Sequence, residues 1–230
     1  MTREDFSSQL PELVGSYHPA SDVLEQIKDL EVLMVVGPSG VGKTTLIQNS
    51  GLAYVPSDTT RQARPGEIEA QDFYFRSDYD QIIQEIQSGR FVQVAVDPGG
   101  DLKATKATSY PQSGIVVMAV VADVLPVFRQ LGFKRTVTAF ITPPTYDEWM
   151  RRLLIHHLTP SEFAKRIEEA QRSISIALND SEMHFVLNDN IELAEKQLVG
   201  LLVGAIDQER EQTAKIAAGE LLAKVSEASS

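Results

Sequence analysis

The feature that most constrains this chain is a glycine-rich segment at residues 37–44, Gly-Pro-Ser-Gly-Val-Gly-Lys-Thr. It fits the pattern G-x-x-x-x-G-K-[ST], with an apolar run before it and a predicted helix opening at Thr44-Thr45. Glycines let consecutive backbone N–H groups turn towards a phosphate, and the N-terminus of the following helix adds the positive end of its dipole. The segment therefore predicts a site for a nucleoside triphosphate, with ATP as the first choice.

Within this phosphate loop the residues have separate predicted roles. Lys43 is expected to reach the β- and γ-phosphates, and the Thr44 hydroxyl to ligate Mg²⁺. The residues expected to hold the nucleotide are Gly37, Ser39, Gly40, Val41, Gly42, Lys43, Thr44 and Thr45. The motif alone leaves open what receives the phosphate.

Apolar runs alternate with helical patterns along the rest of the chain. The runs of strand length are Glu31–Val36, Phe91–Val96, Ile115–Val121, Thr136–Ile141 and His184–Leu187. Helical spacing is found over Tyr79–Gln87, Asp123–Leu131, Tyr146–Leu154 and from Ser161 onwards. This alternation predicts an α/β fold, a mostly parallel sheet flanked by helices. Residues 57–78 are polar and turn-rich, and they predict an inserted, ligand-facing subdomain.

Both ends of the chain lie outside this rhythm. Residues 1–30 are interpreted as a leader interrupted by Pro11, Gly15 and Pro19, with a short helix from Ser21. From Ile191 to about residue 226 the pattern is helical. That segment is predicted either to pack on the sheet or to serve as an oligomerisation helix, and both a monomer and a homodimer stay open.

Composition excludes several classes of function. A net charge of −11 disfavours nucleic-acid binding, because no basic surplus exists to displace counterions from a phosphate backbone. The chain has no cysteine, which excludes disulfides and thiol catalysis. Its longest apolar stretch, 115–122, is too short to span a bilayer, and the acidic N-terminus does not read as a secretory signal. We expect a cytoplasmic protein with no membrane partner.

A second informative segment is Ser57-Asp-Thr-Thr-Arg-Gln-Ala-Arg-Pro-Gly-Glu67. Arg61 and Arg64, three residues apart in a polar loop, suit a clamp for a dianionic group. Ser57 and neighbouring threonines add neutral donors, and Pro65-Gly66 predicts a turn before Glu67.

Together, GPSGVGKT at 37–44, TTRQARPGE at 59–67 and DFYF at 72–75 resemble the guanylate kinase family. The resemblance covers about 32–202 and implies a P-loop NTPase fold that transfers phosphate from ATP to a nucleoside monophosphate, GMP or dGMP first. It implies a guanylate-kinase-like domain at 31–204, with an NMP-binding subdomain at about 57–105 and a short lid at about 154–163. Residues 1–30 would be a leader, and 205–230 an acidic, helical C-terminal extension.

The resemblance also implies roles for individual residues. Arg61 and Arg64 would hold the acceptor phosphate, with Ser57 near the base and Glu67 on the same wall. Lys43 and Arg166, with Arg152 or Arg151, would neutralise the transferring phosphoryl group, and Asn188 would lie near the donor adenine.

This chain departs from the family where the acceptor is read. The family has a glutamate that accepts hydrogen bonds from guanine, but the segment Gly89-Arg-Phe-Val-Gln93 ends in a neutral amide with one acceptor oxygen. In the segment 102–105, which ends at Thr105, Lys103 stands where the family has a phosphate-binding tyrosine. In the family's D-Y-x-F element, Phe73 replaces the tyrosine. The phosphate-handling groups are kept and the guanine-reading groups are altered.

Two further departures concern an acid and the lid. Asp123 is the acid nearest the run Ile115–Val121, and it either takes the role of a family aspartate or caps a helix. His156-His157 stand where the family lid carries an arginine, and metal binding by this pair is disfavoured.

Two alternatives to a nucleotide kinase stay open. A guanylate-kinase-like domain can serve as a binding module, although the intact phosphate loop argues against that. The altered base-reading positions also allow a kinase of a non-nucleotide phosphate ester, although the TTRxxRPGE segment argues for a nucleotide.

Overall fold

The computed structural model describes residues 1–64, 66–97, 99–155 and 158–228. Its strands are β1 (Leu30–Val36), β2 (Ala53–Tyr54), β3 (Ser57–Thr59), β4 (Phe73–Phe75), β5 (Phe91–Val96), β6 (Leu102–Lys106), β7 (Gly114–Ala119), β8 (Arg135–Thr142) and β9 (Met183–Leu187). Its α-helices are α1 (Arg3–Gly15), α2 (Ser21–Ile27), α3 (Lys43–Asn49), α4 (Tyr79–Gln87), α5 (Leu125–Gln130), α6 (Tyr146–Leu154), α7 (Pro160–Asn179), α8 (Ile191–Gly200) and α9 (Gln208–Ala228).

The strands form two sheets. The five-stranded sheet has the order β2-β7-β1-β8-β9, and β8 and β9 pair in parallel from Thr138 opposite Met183 to Thr142 opposite Leu187. The predicted α/β fold with a mostly parallel sheet flanked by helices is confirmed. The smaller sheet has the order β4-β3-β6-β5, and its strand β6 lies outside the apolar runs from which strands are predicted.

The chain divides into two compact units. The first unit contains Met1–Glu31, Ala53–Val116 and Pro126–Arg135, and the second contains Val32–Leu52, Val117–Leu125 and Thr136–Ser230. The segment interpreted as a leader therefore belongs to the same unit as the acceptor segment.

Helix α1 supplies part of the core of the first unit. Phe6 and Leu10 are buried in a cluster with side chains from α4, β5 and β6. The expectation that Pro11 interrupts this segment is wrong, because α1 continues through it. A capping box between Thr2 and Asp5 fixes the start of the helix, and burial of its apolar face offsets the hydrogen bond that proline cannot donate.

The second unit protects the edge of its sheet with side chains. β9 is an edge strand, and an exposed edge leaves backbone groups unpaired. Gln197 of α8 donates to the Phe185 carbonyl at 2.9 Å and accepts from the Leu187 amide at 3.3 Å. From α9, Glu211 accepts from the Phe185 amide at 3.3 Å and Arg210 donates to the Leu187 carbonyl at 3.2 Å. Helices α8 and α9 thus take the place of a further strand.

Helix α9 packs against α7 and β9 within this unit. Its buried stripe consists of Ala214, Ala218, Leu221 and Val225, at helical spacing. The small residues at the first two positions allow a close approach of the helix to its neighbours. Neither α9 nor any other helix in the described part of the chain combines the length and apolar character needed to cross a membrane.

The predicted lid, at about 154–163, includes the end of α6 and the start of α7. Helix α6 ends at Leu154, and α7 begins at Pro160 after the N-cap Thr159, one residue earlier than the pattern suggested. Thr159 and Glu162 form a capping box, and Pro160 takes the first-turn position that tolerates a missing N–H. The predicted lid histidines, His156 and His157, lie outside the described residues, as does Pro65 of the predicted turn.

The packing of α1 predicts a large effect on stability. Phe6 is 1% exposed, so Phe6→Ala should lower the free energy of unfolding by about 3–5 kcal/mol through lost burial and a cavity. Ile216→Ala, on a side chain that is 53% exposed, should change it by less than about 1 kcal/mol. Urea denaturation followed by circular dichroism measures both. Equal effects of the two substitutions would show that α1 is not part of the core.

Candidate active site

The phosphate loop has a backbone that only glycine adopts readily. Gly40 and Gly42 have φ values of +82° and +95°, in the left-handed region. A Cβ atom at Gly42 would lie 2.5 Å from Nδ2 of Asn188, and one at Gly37 would lie 2.8 Å from the Ile141 carbonyl oxygen. The glycines of the motif are therefore required by close contacts as well as by backbone conformation.

Two side chains from outside the loop hold its carbonyl groups. The indole Nε1 of Trp149 in α6 donates to the Ser39 carbonyl at 2.8 Å. The amide Nδ2 of Asn188, just after β9, donates to the Val41 carbonyl at 2.7 Å. These two bonds fix the backbone of the loop, and a glycine-rich turn before a helix can bind an anion through its N–H groups.

Lys43 lies against the same loop. Its ammonium donates to the carbonyls of Gly37 at 2.5 Å and Pro38 at 2.9 Å. Burial lowers the pKa of Lys43. The negative charge of Glu169 opposes this shift, and the positive charge of Arg166 adds to it. Phosphate oxygens would replace these neutral carbonyls with charged partners, so the site favours a polyanion.

Glu169 is a member of this cluster that the sequence analysis missed. Its carboxylate accepts from the Ser39 hydroxyl at 3.2 Å and from the Arg166 guanidinium at 3.4 Å. The available signal was its position three residues after Arg166 on one helix, which places both on the same face. Glu169 holds Arg166 beside the loop, where the predicted catalytic role of this arginine requires it.

The two arginines at the end of α6 have different surroundings. Arg152 donates to Glu148 at 2.7 Å and to the Asn188 carbonyl at 3.1 Å. Arg151 pairs with the same glutamate at 2.8 Å, and its side chain is 65% exposed. Of the pair, Arg152 is the one joined to the loop through Asn188, and it remains the better candidate for contact with a phosphate.

The residues present fit a magnesium ion that arrives with the nucleotide. Thr44 and Thr45 lie exposed at the start of α3. In the described ranges, no three His, Asp or Glu side chains converge as a metal site. Mg²⁺ is commonly held by substrate phosphates, water and few protein ligands, so one threonine hydroxyl beside the loop suits it.

In the first unit, the predicted acceptor clamp is built around Glu67. Arg61 donates to both carboxylate oxygens of Glu67 at 2.6 Å, and the Arg64 amide donates to one of them at 2.8 Å. Burial would raise the pKa of Glu67, but these hydrogen bonds and the two arginine charges lower it below its usual range. Glu67 therefore stays ionised and fixes the orientation of Arg61.

One aromatic ring contacts both Arg61 and a lysine. The Arg61 guanidinium carbon lies 4.7 Å from the centre of the Phe73 ring, and Lys103 Nζ lies 3.5 Å from it. Burial and the charge of Arg61 lower the pKa of Lys103 to about 7, and the charge of Arg64 acts in the same direction. Asp97 and Glu67 partly oppose the shift. Two predicted acceptor residues, Phe73 and Lys103, are thus brought together with the clamp.

Gln93 lies on the small sheet directly opposite Thr105. Its side chain is 6% exposed overall, and its Nε2 group has no hydrogen-bond partner among the described residues. Thr105 instead contacts Tyr110, with their hydroxyls 3.0 Å apart. Ser57 is also buried, at the start of β3. A buried amide without a partner is costly, and a polar ligand would relieve that cost.

A chain of polar contacts that the sequence did not reveal supports the clamp. Thr60, next to Arg61, donates to Asp101 at 3.0 Å and accepts from the Leu102 amide at 3.0 Å. Arg3 of α1 donates to the same Asp101 carboxylate at 2.7 Å. The N-terminal helix thereby neutralises a buried acid that fixes the residue beside the clamp.

Asp123 has a different environment from the other predicted acceptor residues. It lies in the 3₁₀-helix Ala122–Val124, and its carboxylate pairs with Arg172 of α7 at 2.6 Å. This exposed ion pair occupies the carboxylate, and α5 begins only at Leu125, so Asp123 is not an N-cap of that helix. Its role in binding an acceptor stays a prediction.

Comparison with known proteins identifies one family. The family model described as guanylate kinase matches residues 30–203. A guanylate kinase of Rubrobacter xylanophilus is 33% identical over 183 residues, covering 74% of this chain and 92% of that protein. A guanylate kinase of Nocardia farcinica is 30% identical over 195 residues, covering 79% of this chain and 97% of that protein.

A solved structure has the same fold. The crystal structure of guanylate kinase from Anaplasma phagocytophilum superposes with a TM-score of 0.56 at 20% identity, covering 80% of this chain and 90% of that one. At that identity the likeness concerns the fold.

The environment of Lys103 predicts a pH-dependent stability. Because its pKa falls from 10.5 to about 7 on folding, the folded state binds fewer protons between those values. Its contribution is therefore present in full above pH 10.5 and is lost as the pH falls towards 7. Between pH 7 and 9, the free energy of unfolding should rise relative to Lys103→Met by up to about 1 kcal/mol per pH unit. Parallel stability curves for the two proteins would contradict this assignment.

Proposed function

Because the chain belongs to the guanylate kinase family and is a nucleoside monophosphate kinase, we propose that it transfers the γ-phosphoryl group of ATP to GMP, with weaker selection for guanine than a glutamate at position 93 would provide. The proposal rests on two features of this one chain. One is a phosphate loop with Lys43 that is held by hydrogen bonds, and the other is the clamp in which Glu67 orients Arg61. The first suits a triphosphate and the second suits an acceptor phosphate.

On the donor side, the chain's own residues position and neutralise phosphate oxygens. The loop N–H groups would bind the β-phosphate, and Lys43 would bridge towards the γ-phosphate. Arg166, held by Glu169, and Arg152 would stabilise the charge that spreads over the transferring group. Mg²⁺ beside Thr44 would supply further neutralisation of the phosphates. Glu169 would keep Arg166 from binding elsewhere until the nucleotide arrives.

On the acceptor side, Arg61 and Arg64 would hold the GMP phosphate. Glu67 fixes Arg61, and both Arg61 and Lys103 lie against the ring of Phe73. A bound dianion would favour the charged form of Lys103, which then adds a point charge to the clamp. No covalent intermediate is needed, because an acceptor oxygen placed in line with the γ-phosphorus attacks directly.

Base selection would depend on Gln93. A glutamate can accept two hydrogen bonds from a guanine edge and adds negative charge, whereas Gln93 offers one acceptor oxygen and one amide donor. The amide donor that lacks a partner would suit a carbonyl on the base, and guanine has one beside its N1–H group. The arrangement supports binding of guanine with fewer contacts to its amino group.

The proposed reaction is tested by measuring ADP release from Mg·ATP with GMP, dGMP, AMP, CMP, UMP and dTMP. We expect turnover with GMP, and we expect Lys43→Ala to abolish it. Loss of one charged partner of the transferring phosphoryl group should cost at least about 10³-fold in rate. Lys43-dependent turnover with none of these acceptors, while ATP still binds, would favour a non-nucleotide acceptor or a binding module and would contradict the proposal.

A single substitution tests the role of Gln93. Gln93→Glu should lower the KM for GMP by roughly tenfold, because it restores a second acceptor and a negative charge facing the guanine N–H groups. The KM for ATP should stay unchanged, which serves as the internal control. An unchanged KM for GMP would show that Gln93 does not contact the base.

A further inference from the structure

Arg210 connects the C-terminal helix to the segment that holds the phosphate loop. It lies at the third position of α9, where Asp207 caps the helix by accepting from the Arg210 amide at 3.1 Å. Its guanidinium donates to the Leu187 carbonyl at 3.2 Å and to the Asp189 carboxylate at 2.7 Å. These two partners are the residues on either side of Asn188.

Asn188 itself is held on every side. Its backbone amide donates to the Thr142 carbonyl of β8 at 2.8 Å, and its carbonyl accepts from Arg152 at 3.1 Å. Its side-chain amide donates to the Val41 carbonyl of the phosphate loop at 2.7 Å, and the residue is 6% exposed. A shift of Asn188 would therefore move the loop, and Arg210 restrains both of its neighbours.

We infer that Arg210 is a positioning residue of the nucleotide site, acting on the phosphate loop through Asn188. This inference rests on the proposed use of the loop for ATP. It assigns a part of the ATP site to a helix beyond the region that matches the family model, which ends at residue 203. Helix α9 then has two separate roles. It covers the edge of β9, and through Arg210 it also holds the phosphate loop.

Charge supports the same assignment. Burial would raise the pKa of Asp189, but its hydrogen bond and ion pair with Arg210 lower it. Without the arginine, an unpaired carboxylate would stand next to Asn188, whose side chain contacts the loop that is proposed to bind a triphosphate. Arg210 thus neutralises a charge that would repel the nucleotide, in addition to holding the backbone.

Glu211 provides a matched control within the same turn of α9. Its carboxylate accepts from the Phe185 amide at 3.3 Å and contacts His184 Nδ1 at 2.8 Å, so it covers the same strand edge. Its partners lie three and four residues from Asn188, whereas those of Arg210 are the direct neighbours of Asn188. Glu211→Ala should therefore remove edge protection of the same kind without reaching the loop.

The test is the Kd of Mg·ATP for the full chain, measured by calorimetry with no acceptor present. We expect Arg210→Ala to raise this Kd roughly three- to tenfold, while the Kd of GMP stays unchanged. Glu211→Ala should leave the Kd of ATP within about twofold, although both substitutions should lower the melting temperature. Arg210→Lys should restore part of the affinity, because a lysine keeps a positive charge beside Asp189, while its shorter side chain weakens the hydrogen bond to the Leu187 carbonyl.

Two results would overturn the inference. One is an unchanged Kd of ATP in Arg210→Ala, which would show that Arg210 only covers the edge of β9. The other is an equal rise in Glu211→Ala, which would reflect general loosening of β9. If Arg210→Ala does not fold, Arg210→Met keeps the apolar part of the side chain and removes both hydrogen bonds, and an unchanged Kd there contradicts the inference. Since no acceptor is used, a failure of GMP turnover would contradict the proposed function and leave this test intact.

Discussion

The hydrogen bond from Asn188 to the Val41 carbonyl is the contact on which the nucleotide site depends. With the bond from Trp149 to the Ser39 carbonyl, it fixes a loop whose glycines have φ values that other residues rarely adopt. A loop that is already ordered before the nucleotide binds loses no binding free energy to its own ordering. This order requires residues distant in the sequence to hold Asn188, and Arg210 of α9 is one of them.

Charge is arranged in the same way in both units. In the second unit, Glu169 holds Arg166 next to a buried lysine whose pKa is lowered by burial. In the first, Glu67 holds Arg61 next to Lys103, which burial brings to a pKa of about 7. Each site therefore carries an arginine fixed by a carboxylate, and a lysine whose ammonium contacts neutral groups: backbone carbonyls at Lys43 and the Phe73 ring at Lys103. A phosphate would supply an anionic partner for each lysine, and this shared arrangement supports phosphoryl transfer.

The sequence predicted the sheet, the phosphate loop and the acceptor loop because each follows from a local pattern. Apolar runs mark β1 and β8, and the spacing of glycines and Lys43 marks the loop. The rest depends on contacts between distant parts of the chain. Nothing near Trp149 or Asp101 in the sequence indicates their partners, Ser39 and Thr60 with Arg3. Pro11 was misinterpreted because burial of Phe6 and Leu10 outweighs a local preference.

In the proposed function, this member of the guanylate kinase family binds the acceptor base through the neutral amide of Gln93. The most direct test compares kcat/KM for GMP and for inosine monophosphate in the unsubstituted protein, since the two differ only in the amino group of the base. One acceptor oxygen on Gln93 bonds the two guanine N–H groups more weakly than two carboxylate oxygens would, so we expect a preference for GMP below about tenfold. A preference above about 100-fold, or phosphoryl transfer to neither nucleotide, would contradict this.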